Sequence, residues 1–180
     1  ITITIAENPQ ELGLKAARKI ADLLREAIEA KGEARIILST GASQFETMEA
    51  LTQEDVDWSK VEMFHLDEYV ALSESHIASF RKYLKERFVS KVNLKAAYFV
   101  NGEGDVQQNI AALTAELRRK VVDVGVIGIG ENAHIAFNDP PADFETDLAY
   151  KVVELDERCK QQQVGEGWFK ALRDVPKQAI

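Results

Sequence analysis

The chain has 180 residues, 46% of them hydrophobic and 29% charged, with a formal net charge of −8. That length and composition predict one globular domain with room for a core, and exclude a disordered or fibrous chain. The acidic balance excludes a nucleic-acid or anionic-membrane surface as the main partner. A small anion is still allowed, because a local cradle of backbone N–H groups overrides the global sign.

The chain opens ITITI, whose alternating β-branched residues predict a strand over 1–5. A long helix follows: Asn8 is its N-cap, Pro9 its first residue and Gly32 its stop. Leu14, Ala17, Ile20, Leu24 and Ile28 form its apolar stripe. ARIILS (34–39) is a short apolar strand, after which Ser43 is placed to cap the helix QFETMEALTQ. Strands are further predicted at VEMFHL (61–66), AAYFV (96–100), VVDVGVIGI (121–129) and around 150–155. Helices are predicted over about 76–87 and 105–120, and from Asp156 onward. Strands alternating with helices imply an α/β, Rossmann-like layered fold with a mainly parallel sheet flanked by helices. No period or low-complexity linker divides it, so residues 1–180 read as a single domain. The sequence starts without Met and stops mid-pattern at VPKQAI, which reads as a fragment truncated at its C-terminus.

No run approaches the ~20 apolar residues of a membrane span, and no signal peptide is recognisable. The single cysteine, Cys159, cannot form an internal disulfide, which fits a cytoplasmic setting. No cysteine or histidine spacing matches a metal site, and Cys159 reads as structural. His76 reads as a surface residue of its helix.

Ligands of open α/β sheets bind beyond the carboxyl ends of the strands, and three such ends are polar here. In STGAS (39–43) Gly41 lets the backbone approach a ligand, and the helix that follows offers unpaired N–H groups. That suits a phosphate monoester; an ordinary capped turn is the alternative. In HLDEYV, Asp67 and Glu68 point to opposite sides of an extended chain, so one of them faces a cleft. A carboxylate screened from water there can act as a base toward a carbon acid; a solvated acidic turn is the alternative. In GENAHIAFNDPP, His134 precedes Asp139 by five residues, a pairing that suits a proton shuttle. GIGENA mimics a dinucleotide fingerprint, but it follows a late strand, and the first strand–helix turn, AENPQ, holds no glycine.

Together STGAS, FHLDEYV and GIGENAHIAFNDP resemble the glucosamine-6-phosphate deaminase/isomerase family, a branch of the fold shared with 6-phosphogluconolactonase. The resemblance implies an aldose–ketose isomerisation with deamination of a hexosamine phosphate, needing no metal or organic cofactor. It implies Asp67 as the base between C2 and C1, His134 as the ring-opening group and Asp139 as its carboxylate partner. Thr40, Gly41, Ala42 and Ser43 would hold the phosphate. This chain departs from the family pattern with Asn132 in place of an Asp in the His134 network. It also has Asp139 for a Glu, Ala42–Ser43 for Gly-Thr, Gln44 for a Pro and Gln163 for an Arg. Lactone hydrolysis on the same scaffold and a non-catalytic sugar-phosphate sensor therefore remain alternatives. A small sugar phosphate is the expected partner, with a homo-oligomer left open.

Overall fold

The computed structural model describes every residue except 131, 132 and 140, so the reading of Asn132 and of Glu131 lies outside the described residues. The first helix, α1 (Pro9–Lys31), forms as its signals require: the Asn8 side chain accepts from the Glu11 N–H, and Gly32 ends it at φ 79°. Gly13 is buried where α1 crosses α2 (Phe45–Leu51); a Cβ there would sit 2.6 Å from the Glu46 backbone.

Four parallel strands form the main sheet in the order β3-β2-β1-β4. They are β1 (Ala34–Leu38), β2 (Val61–His65), β3 (Ala96–Tyr98) and β4 (Val124–Val126). β1 pairs with β2 from Ala34↔Val61 to Leu38↔His65, and with β4 from Ile36↔Val124 to Leu38↔Val126. Strand alternation sorts the side chains between two layers. Ile36, Leu38, Val61 and Met63 pack with α1, α2 and α3 (Phe80–Arg87). Ile37 and Phe64 face the other way, with Leu113 of α4 (Val106–Arg118). Arg35 lies on that second face, 1% exposed, and bonds Glu62 (3.1 Å). It also donates to the carbonyls of Leu117 (2.8 Å), Glu116 (2.6 Å) and Lys120 at the end of α4, where the helix dipole favours a cation.

A small second sheet pairs β5 (Val153–Glu154) antiparallel with β6 (Gln178–Ala179), on either side of α5 (Glu157–Gly165). The last strand also ties down the segment after β2: the Ile180 N–H donates to the Glu68 carbonyl (2.9 Å) and the Val70 N–H to Gln178 (3.0 Å).

Several sequence expectations are corrected. Residues 1–6 form no strand; Ile1, Ile3 and Ile5 are exposed, and alternation without a neighbouring strand makes no ladder. Ser43 does not cap α2: a 3₁₀ turn over Ala42–Gln44 precedes the helix, and Gln44 is the N-cap, without a side-chain bond. The α3 helix begins at Phe80, where Ser79 caps the Lys82 N–H, so His76 lies in the preceding turn and stacks on Phe169. The run 121–129 is a strand only over Val124–Val126.

Candidate functional site

The strand order reverses between β1 and β4, and the residues just beyond the carboxyl ends of these two strands line one cavity of about 300 Å³. Thr40, Gly41, Ala42 and Ser43 form one wall. Gly41 has φ 134°, a conformation open to glycine and strained for other residues, and its carbonyl accepts from the Tyr83 hydroxyl (3.0 Å). Ser39 ties the walls together: its hydroxyl donates to the Val126 carbonyl (2.9 Å) and accepts from the Gly128 N–H (3.1 Å) and from the buried Gln44 amide. The departure Gln44 thus fastens the loop on which the proposed cradle stands.

Asp67 and Glu68 separate as extended geometry requires. Asp67 lines the cavity, and its Oδ1 is buried without a hydrogen-bond partner among the described residues. Burial, reinforced by the Glu68 charge, pushes its carboxyl up to about 7. Glu68 is fully buried in a cage of donors: the N–H groups of Tyr69, Phe80 and Arg81, the Ser79 hydroxyl and the Arg81 guanidinium. Burial raises its carboxyl, while those backbone and hydroxyl donors pull the other way. His65, the last residue of β2 and two before Asp67, is wholly buried, and neither ring nitrogen has a partner among the described residues. Desolvation, aided by the Arg81 charge, lowers it to about 3, so it stays neutral.

The third wall is the loop after β4. His134 lines the cavity, and its Nδ1 stands 3.0 Å from Asp139 Oδ1, so the pair expected from the sequence is formed. The turn that presents it is tight. The Gly130 N–H donates to the His134 carbonyl (2.9 Å), and a Cβ on Gly130 would fall 2.2–2.6 Å from the imidazole atoms. Ala133 (φ 66°) and Ala136 (φ 52°) flank His134 in the left-handed region, a strain of roughly 1–2 kcal/mol each that the surrounding contacts hold.

Gln163, on α5, closes the cavity, and the Tyr69 hydroxyl donates to its Oε1 (2.8 Å), which directs the amide nitrogen away from Tyr69. Tyr69 packs against Phe80, Phe137 and Phe169, locking this wall to the β2–α3 turn. Cys159, one turn earlier on α5, is 1% exposed and hydrogen-bonded to Asp139; burial and that carboxylate push its thiol up to about 12. No sequence spacing signalled this meeting of α5 with the His134 loop.

A family model described as "Glucosamine-6-phosphate isomerases/6-phosphogluconolactonase" matches residues 7–164. A glucosamine-6-phosphate deaminase of Exiguobacterium sp. is 35% identical over 91% of this chain and 64% of its own length. Glucosamine-6-phosphate deaminase 2 of Bacillus subtilis is 35% identical over 88% of this chain and 65% of its own. The chain thus spans about two thirds of the length of these relatives. A solved structure described as a monomeric glucosamine-6-phosphate deaminase superposes with TM-score 0.86 at 26% identity, covering 99% of this chain and 74% of that one. A 6-phosphogluconolactonase from Thermotoga maritima, 16% identical with TM-score 0.77 over 99% of this chain and 75% of that one, shares the fold. With the parallel sheet, the cavity at its switch point and the family match in agreement, the chain belongs to the glucosamine-6-phosphate isomerase/6-phosphogluconolactonase family.

Proposed function

We propose that this chain is an amino-sugar phosphate deaminase that converts glucosamine 6-phosphate and water to fructose 6-phosphate and ammonia. The observation that carries the reading is Asp67: a buried carboxylate, poised near pH 7, in the same cavity as the His134–Asp139 pair. Groups with perturbed ionisation gather where a proton must be moved, and a base with a pKa near the working pH does so efficiently. The relatives named above support the choice of substrate.

In this reading the backbone and hydroxyls of Thr40–Ser43 hold the phosphate, which orients the sugar. His134 moves a proton at the ring oxygen to open the pyranose, with Asp139 supporting the imidazolium. Asp67 then takes the C2 proton of the open-chain aldose and returns it to C1. The C2–N bond becomes an imine, water adds to C2, and ammonia departs. A phosphorylated sugar as substrate fits a cytoplasmic setting for the chain; separately, no helix among the described residues is long and apolar enough to cross a membrane.

A coupled ammonia assay with glucosamine 6-phosphate and galactosamine 6-phosphate tests the reading. Equal amounts of ammonia and fructose 6-phosphate from the glucosamine substrate are expected. Calorimetric binding without ammonia, or turnover of 6-phosphogluconolactone in its place, would overturn it.

A further inference from the structure

His134 and Asp139 meet a third donor that the proposed reaction does not use. The Cys159 sulfur, one nitrogen of His134 and one carboxylate oxygen of Asp139 all lie within 4.8 Å of one another. The donors come from two separate parts of the fold, the loop after β4 and α5, and Cys159 is held among Phe137, Leu155 and Phe169. An imidazole, a carboxylate and a thiolate form a donor set suited to a four-coordinate, thiophilic cation. Around such an ion the donors stand roughly 3.3–3.8 Å apart, so the widest pair need close by only about 1 Å. Of the three donors, His134 also lines the cavity.

We propose that His134, Asp139 and Cys159 form an inhibitory site for a thiophilic divalent cation such as Zn²⁺. Binding replaces the thiol proton by a sulfur–metal bond; the proton leaves to bulk water, and nothing is oxidised or reduced. A cation held there engages the Asp139 charge and one imidazole nitrogen, so His134 no longer exchanges a proton with a ring oxygen. The inhibition rests on the role proposed above for His134; the binding of the cation does not.

The test is a Cd²⁺ titration of the whole chain. Cys159 is its single cysteine, so the ultraviolet sulfur-to-cadmium charge-transfer band reports on that residue alone. The band is expected to reach a plateau at one equivalent while ammonia release falls, and EDTA should reverse both. Cys159→Ala should show no band, and its ammonia release should be indifferent to Cd²⁺. His134→Ala and Asp139→Asn should each need on the order of tenfold more Cd²⁺ to develop the band. Absence of the band in folded wild-type protein, or unchanged Cd²⁺ affinity in His134→Ala and Asp139→Asn, would overturn the site. If Cys159→Ala does not fold, those last two titrations still decide. If wild-type protein releases no ammonia, the band still tests the site, so the two readings fail separately.

Discussion

The cavity side and the cage side of the turn after β2 carry adjacent carboxylates with opposite surroundings. Glu68 accepts from three backbone N–H groups, a hydroxyl and a guanidinium, and it anchors the start of α3. Asp67 is buried as well, yet one of its oxygens has no partner among the described residues, and its charge is opposed by burial and by Glu68. The comparison teaches that burial alone does not make an acid reactive. Burial with every lone pair answered makes a structural anchor, and burial with an unanswered oxygen on a cavity marks the candidate base proposed above.

Asp67→Asn breaks the comparison most sharply. Ammonia release from glucosamine 6-phosphate should fall on the order of 10³-fold, within the usual reach of general base catalysis. The same change should stabilise the fold. The folded pKa of about 7 lies above the unfolded value, so ionisation weakens the native state as pH rises from about 4 through 7. Thermal unfolding should show the variant melting above wild type at pH 8, with the gap closing toward pH 4.

On the cage side the outcome reverses. Glu68→Gln replaces one accepting oxygen with an amide NH2 that donates and cannot accept, orphaning buried donors and removing the charge opposite Arg81. It should cost about 3 kcal/mol in denaturant unfolding. A smaller effect, without loss of stability, belongs to the third wall. Gly130→Ala places a methyl group where the His134 ring stands, so ammonia release should drop about 10²-fold while the melting temperature barely moves. Ser39→Ala cuts the tie between the β1 and β4 loops and should destabilise by about 1–2 kcal/mol, read by thermal melting. The mildest test changes no residue. With Asp67 as the proposed base, active when ionised, kcat/KM should rise with pH through about 7 in wild type, and that limb should vanish in Asp67→Asn.

Much of this was legible in the sequence. Asn8, Pro9 and Gly32 bound α1 because capping acts within a few residues, and the apolar runs before STGAS and HLDEYV mark β1 and β2. The polar strand ends that line the cavity were visible for the same local reason. ITITI misled because alternation states a capacity to pair, and a strand exists only where a neighbour supplies the other half of the ladder. The run 121–129 overstated its strand because only Val124–Val126 stand beside β1.

By itself, then, the sequence determined the limits of α1, the presence of the main strands and the placement of three polar motifs at strand ends, all settled by residues close in the chain. Only the tertiary structure decided that Asp67 rather than Glu68 faces the cavity. It also decided that residues 178–180 fasten the turn after β2, and that Cys159 stands beside His134 and Asp139. Those outcomes depend on partners far apart in the chain, and the energy of a buried charge or an unanswered oxygen is set by what packs around it.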